Sequence, residues 1–421
     1  MRLAGSLMAV VLGVGAVSTA WADGGVPAEG RWRAWLDSPG GQLPFGLELK
    51  QGDRGWQAWL VNGPERIEVP RVTVAPGAVV LDIMHYDSTI RAEVGQDGRR
   101  LDGQWVKRPG TQKSVRMAFH ALAGLAVPGA PGLPVESNGG AVSVGNIDGR
   151  WTVQFSQSSD PAVGVFETVK GQGVVGTIMT TTGDYRYLAG SLEGSRLRLS
   201  VFDGAHAFLF DARLGHDGML RGDFWSGDAW HERWTGHLDP SAKLGDAFGQ
   251  TLAVGRADLA NLVFPDATGT RRRLADLASG CKLMILEIMG TWCPNCHDAG
   301  AYLADLHRRY GPQGVVFVSL AFEVSGEFER DARQVRRFVE RHGIAFPVLI
   351  AGTSDKAKVT QVLPMIDRLK SYPTTLVLDP SGKVISVYTG FTGPATGEAY
   401  EAFRREFEAL VERELDVRGE D

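Results

Sequence analysis

Cysteine is absent from the first two thirds of this 421-residue chain: the only three are Cys281, Cys293 and Cys296. That scarcity excludes a disulfide-stapled N-terminal scaffold and suggests that the close pair serves redox chemistry rather than stapling. It also excludes a lipoprotein anchor, because no Cys follows the apolar N-terminal run, and a four-cysteine structural zinc site, because there is no second pair. An excess of one charge is lacking too. Against 49 Asp and Glu stand 44 Lys and Arg, a formal net charge of -5, so no electrostatic reason for a nucleic-acid partner exists. Beyond Ala22 no apolar stretch is long enough to resemble a transmembrane segment.

What is present begins with Arg2, an apolar run from Leu3 to Val17, and Ala20-Trp21-Ala22 with small residues at the two positions a signal peptidase reads. Residues 1–22 are therefore expected to be an export signal, with a retained membrane anchor as the alternative. The length exceeds one ordinary core, so several domains are expected.

Residues 23 to about 240 hold nine of the eleven Trp and many runs that alternate, such as Phe45–Leu49, Leu197–Val201 and Phe208–Ala212. Period-two alternation puts apolar side chains on one face of a strand, so this region reads as antiparallel β. It also reads as a repeat. Gly30-Arg31-Trp32 recurs as Gly149-Arg150-Trp151, Gly63 and Arg66 as Gly183 and Arg186, and Leu101–Trp105 as Leu220–Phe224, at offsets of 119 to 120 residues. Each copy has an Asp-Gly turn, Asp97-Gly98 and Asp217-Gly218, expected to lead into its closing strand. The expected division is a β module over 23–120, a linker over 121–146 rich in Ala, Gly, Pro, Val and Ser, a second module over 147–240, and a different domain over 245–421. The modules either fold separately or pack as two halves. Two aromatic clusters, Phe202–His206 and Trp225–Trp234, fit either a sugar or peptide site or barrel core.

From about 245 strands alternate with helices, the signature of an α/β layer. The apolar strand Leu283–Met289 runs into Trp292-Cys293-Pro294-Asn295-Cys296 and then a helix whose one face carries Ala299, Tyr302, Leu303, Leu306 and Tyr310. A thiol at a helix N-terminus faces unpaired N–H groups and the positive end of the macrodipole, which stabilise the thiolate that attacks disulfides. Cys293 is thus the candidate attacking thiol. Cys296, one turn deeper, is the candidate resolving thiol. Cys281 sits at the far end of the strand and is expected to be a buried structural cysteine.

Downstream, Ser371-Tyr372-Pro373-Thr374-Thr375 precedes the strand Leu376-Val377-Leu378. This order resembles the thioredoxin superfamily, whose members set a cis-proline loop beside the cysteines; Pro373 is the residue assigned to it, a trans strand-starting proline being the other reading. Within the superfamily, Gly290-Thr291-Trp292-Cys293, the extra helix and strand from Glu327 to Leu349, and Tyr372-Pro373-Thr374-Thr375 resemble the TlpA/ResA-like thiol-disulfide oxidoreductases over roughly residues 250 to 416. The resemblance implies a thioredoxin-fold domain that exchanges disulfides of envelope proteins without a bound cofactor, recharged by a membrane thiol reductant donor. It also implies that Glu287, six residues before Cys293, is the buried acid that moves the proton of Cys296; a strand-edge glutamate facing solvent is the alternative. Trp292, Pro294 and Tyr372 are the candidate substrate contacts. The second acid that relatives often carry three residues after the resolving cysteine is Ala299 here.

Three other chemistries fit parts of this pattern. Cys293-x-x-Cys296-His297 fits c-type haem attachment, but that needs neither the preceding apolar strand nor the downstream Pro-Thr-Thr. Two thiolates and His297 could hold a soft metal. A thiol peroxidase would share the fold, but Leu286 and Gly290 stand where the peroxiredoxin Pro and Thr belong.

Overall fold

The computed structural model describes residues 25–108, 114–125 and 146–417. The expected export signal and most of the expected linker lie outside the described residues. Residues 121–123, which composition assigns to the linker, belong to a strand. Ala121 is fully buried in the strand Val115–Ala123, between Ala34 and Leu101 on the neighbouring strands, where a small side chain is what the sheet core accepts.

The N-terminal region is almost entirely β. Nine strands, from Gly30–Ser38 to Val115–Ala123, form an antiparallel sheet whose first strand pairs with both the second, Gly41–Gly52, and the last. The curl stops short of closure between Glu65–Glu68 and Arg71–Ala75, which form the two edges. In a second nine-stranded sheet eight strands close into a ring: Gly149–Phe155 pairs with Ala162–Val169 on one side and Trp230–Leu238 on the other, the remaining neighbours complete it, and the short strand Gly183–Asp184 hangs on Gly173–Thr180. The Asp-Gly turns form, with Gly98 at φ 68 and Gly218 at φ 75, a left-handed conformation that suits glycine. They lead into Arg100–Lys107 and Met219–Ser226, the penultimate strands rather than the closing ones, because each meander has one further hairpin.

Four of the nine tryptophans here are core. Trp32, Trp105, Trp151 and Trp234 are fully buried, and each indole N–H finds an acceptor: Ala28 O, Ser88 Oγ, Ile147 O and Asp223 O. The two sheets pack together. Phe202, Ala205, Ala207 and Leu209 of the second contribute to the core of the first, and the Asn62 amide exchanges two 3.0 Å hydrogen bonds with the backbone of Phe202.

The C-terminal domain is a five-stranded sheet in the order Val348–Thr353, Val315–Glu323, Leu283–Met289, Thr374–Leu378, Val384–Thr389. The first three strands are parallel, Thr374–Leu378 runs antiparallel to them and Val384–Thr389 antiparallel to it in turn, with helices Pro294–Tyr310, Phe328–His342 and Glu398–Val417 packed on the sheet. This is a thioredoxin-like arrangement. The strand Leu283–Met289 is buried at every position, as a central strand covered on both faces must be. Cys281 precedes it in a turn and is only half-buried, because the strand that would have covered it starts two residues later.

The domain does not hang free. Against the first sheet, Gln334 Nε2 donates to Met84 O at 3.1 Å and to Asp87 Oδ1 at 2.8 Å, and Arg330 pairs with Asp87. No helix among the described residues is long and apolar enough to cross a membrane.

Candidate active site

The site grows out of the central strand. Leu283–Met289 delivers the chain to Gly290-Thr291-Trp292, and Cys293 then caps the helix Pro294–Tyr310 in an extended conformation, with Pro294 at a first-turn position that suits a residue lacking an N–H. Cys293 O accepts from Cys296 N at 3.0 Å and from His297 N at 3.3 Å. The Cys293 thiol lies 3.6 Å from Tyr372 O, on the loop where the Tyr372–Pro373 peptide bond is cis. Antiparallel pairing of Thr374 with Ile288 and of Thr375 with Glu287 ties that loop to the central strand. Cys293 is 8% exposed and Cys296 is fully buried.

Buried carboxyls surround the pair. Glu287 is 0% exposed; Ser319 Oγ donates to its Oε2 at 2.6 Å, while Oε1 has no hydrogen-bond partner. Burial pushes its carboxyl up to about 7, with the Ser319 bond opposing. Burial, followed by the neighbouring Cys293 and the Glu287 carboxylate, drives the Cys296 thiol well above its usual range. A second acid, Glu323, accepts from Thr291 N and Thr291 Oγ1, both at 2.8 Å, and thereby fixes the turn into Cys293. Burial raises it too, to about 7.

Of the candidate substrate contacts, Tyr372 borders a cleft that also exposes Cys293, whereas Trp292 and Pro294 do not. Trp292 Nε1 donates to Phe322 O at 3.0 Å and its ring stands edge-on to Tyr372. His297 is turned away from the cleft: Nε2 meets Thr291 O at 2.8 Å, Nδ1 meets His342 Nε2 at 2.7 Å, and the ring packs on Tyr86 of the first sheet. Among the described residues no group of three or more His, Cys, Asp or Glu is arranged to hold a metal ion.

A charged seam lies beside this centre. Arg186, in the link between the strands Gly183–Asp184 and Leu188–Glu193 of the second barrel, is 7% exposed and pairs with Glu65 of the first sheet at 2.8 Å, with Asp203 at 3.8 Å, and with Asp298 of the cysteine helix. Burial opposes the Arg186 charge, but Asp298, Glu65, Asp184 and Asp203 more than offset it. Burial raises Asp298 to about 6 and Glu65 to about 7 despite the guanidinium.

The model of the AhpC/TSA family matches residues 256–387. The thiol-disulfide oxidoreductase ResA of Bacillus subtilis (strain 168) is 34% identical over 134 residues, 32% of this chain and 66% of that protein. ResA of Geobacillus thermodenitrificans (strain NG80-2) is 33% identical over 139 residues, 33% of this chain and 71% of that protein. The chain belongs to the TlpA/ResA-like thiol-disulfide oxidoreductases through its C-terminal domain. A solved structure of a putative thiol:disulfide interchange protein DsbE from Chlorobium tepidum is 20% identical, with a TM-score of 0.28, covering 37% of this chain and 98% of that one. On the ResA matches this TlpA/ResA-like chain is an oxidoreductase, and it spans about two thirds of the length of the two ResA proteins. Both β sheets lie outside the family-model match.

Three features of this TlpA/ResA-like site escape a reading by motif. Glu323 is thirty residues past Cys293, and only the parallel pairing of the two central strands brings it to Thr291. Asp298 sits in the helix one position before the Ala299 that a family comparison inspects. Arg186 is visible in the sequence as a repeated Gly-x-x-Arg, but its partners come from three separate stretches of chain.

Proposed function

We propose that this chain reduces or exchanges disulfides of envelope proteins through Cys293 and Cys296, without a bound cofactor. The observation that carries the reading is the Cys293 thiol at the helix start, 3.6 Å from the carbonyl before a cis-proline, with a buried thiol and a buried acid behind it. The Cys293 thiolate attacks one sulfur of a substrate disulfide; that S–S bond breaks, the departing sulfur takes up a proton, and a mixed disulfide remains. Glu287 takes the proton of Cys296, whose sulfur attacks Cys293 and frees the second substrate thiol. The substrate gains two electrons, and the chain is left with a Cys293–Cys296 disulfide for a membrane thiol donor to reduce. Tyr372 and Pro373 align the substrate, with Trp292 and Pro294 shaping the turn that presents Cys293. Export by residues 1–22 would bring the site to such substrates.

The test is trapping. Cys296→Ser should accumulate mixed disulfides through Cys293 that Cys293→Ser does not form; equal trapping by the two variants would remove the assigned roles. A thiol-peroxidase reading draws on the AhpC/TSA match. It would require hydrogen peroxide to oxidise Cys293 faster than a protein disulfide does, and the opposite is expected.

For the β region, the two sheets are read as copies of one meander. Support comes from Trp32 and Trp151, at equivalent positions in the first strands, each donating its indole N–H to the carbonyl four residues earlier.

A further inference from the structure

The cysteines do not open onto free solvent. A cleft of about 690 Å³ separates Cys293, Asn295 and Tyr372 from the mouth of the second barrel. Its far wall is aromatic: Tyr185 stands edge-on to Phe208 and Phe224 at 5.2 Å each and stacks on Phe155 at 5.6 Å, while Trp230 at the rim is 49% exposed. The near wall holds two buried polar atoms with no hydrogen-bond partner, Asn295 Oδ1 and Tyr372 Oη. A buried polar atom left unpaired costs free energy that a ligand donor would recover.

The width of the cleft is held by cross-domain bonds. Ser371 Oγ donates to Thr182 O at 2.9 Å, Gly393 N donates to Asp184 Oδ2 at 2.9 Å, and Lys370 pairs with Asp160 at 3.0 Å. The volume falls in the range of a pre-formed ligand site, mostly apolar with a few convergent polar groups. Beside a reacting disulfide, an extended peptide supplies what each wall lacks: N–H donors for the near wall and a side chain for the far one.

We propose that the second barrel is the substrate-recognition half of the active site, its aromatic mouth taking an aromatic or large apolar side chain adjacent to the half-cystine of an extended peptide that reaches Cys293. This rests on the thiol-exchange reading above and adds a substrate class to it. In the exchange, the Cys293 thiolate bonds to the peptide sulfur, the partner thiol leaves with a proton, and Cys296 then releases the peptide as a thiol, the two protein thiols becoming a disulfide.

The full chain, reduced, is tested with three probes: cystamine, and two eight-residue peptides in mixed disulfide with cysteamine that differ only by Phe or Ser beside the Cys. Product thiols are followed by mass spectrometry, and each protein's peptide rates are normalised to its cystamine rate. The Phe peptide should react about tenfold or more faster than the Ser peptide, the worth of burying one aromatic side chain. Trp230→Ala, which removes the rim, and Ser226→Trp, which fills the cleft beside it, should each bring the Phe-to-Ser ratio close to one. Equal rates for the two peptides, a preference for cystamine over both, or a ratio untouched by both variants overturns the proposal and leaves thiol exchange standing. Failure of the unaltered chain to react with any probe removes thiol exchange itself, and this inference with it.

Discussion

The interior beneath the cysteines and the seam beside them both bury carboxyl groups, but they are built on opposite terms. Glu287 lies in the central strand with a single hydroxyl for company and no cation, so burial, opposed only by the Ser319 bond, sets its proton affinity. At the seam, Glu65, Asp203 and Asp298 converge on Arg186 from three stretches of chain, and their charges are compensated. A lone buried acid holds a proton it can give up near neutral pH, which suits transfer. A compensated cluster costs a great deal to break and suits holding parts together. Chemistry is thus kept inside one domain, and its alignment with the barrel is entrusted to charge.

The sharpest way to break this contrast is to remove the seam's cation. Arg186→Met leaves Asp298 and Glu65 buried without their cation, Asp203 keeping only His206, and loss of one partner of a buried ion pair typically costs about 3–5 kcal/mol. Thermal or urea unfolding should show that loss. Proteolysis should also cut between the second barrel and the C-terminal domain before the domain itself unfolds. Unchanged stability would mean that the seam is solvated and contributes little to docking.

Glu287→Gln tests the other side and should act in the opposite sense on stability. The folded-state carboxyl is raised from 4.5 to about 7, so its contribution to stability is full below 4.5 and is lost as pH rises through about 7. The Gln variant should therefore gain on the unaltered protein at pH 8 relative to pH 5. Activity should fall all the same. Only ionised Glu287 can take the Cys296 proton, so the resolving step should quicken as pH rises through about 7; in the variant that rise should vanish and the step should slow by about 10²-fold, the low end for general acid–base catalysis. Single-turnover reduction of a mixed disulfide across pH measures both. A variant as fast as the parent would leave Glu287 a passive core residue.

The same contrast governs what the sequence makes legible. The strand, the Cys-x-x-Cys, the helix and the Tyr-Pro-Thr-Thr loop are close in sequence or tied by one strand pairing, so local pattern carries them. Glu287 is readable because burial follows from a continuous apolar strand on both sides of it. The seam is not, since Glu65, Arg186 and Asp298 are each an ordinary surface-type residue until three chain segments meet. The aromatic run Trp225–Trp234 shows the limit of alternation. It divides into core, at Trp234, and cleft rim, at Trp230, which share one face of one strand and differ only in where along it the barrel ends. The expectation that Cys281 is buried failed for a similar reason, because the exact start of a strand is weakly encoded.

The finest probe of how the two regions meet is Gly183, which touches both. A Cβ at this position, where φ is +153, would come within 2.0 Å of Asn295 Nδ2, between the two cysteines. The nearest obstacle is the end of a side chain, which turning the Asn295 amide relieves, but the positive φ strains any residue with a Cβ, so Gly183→Ala should cost about 1–3 kcal/mol. Alkylation of Cys293 by iodoacetamide should then change by a few fold, because Asn295 lines the same cleft as Cys293 and has moved, while unfolding shifts less than in Arg186→Met. If alkylation does not change at all, the barrel's Thr180–Asp184 hairpin does not rest on the cysteine turn in solution. The alignment that the charged seam provides would then stop short of the reacting atoms.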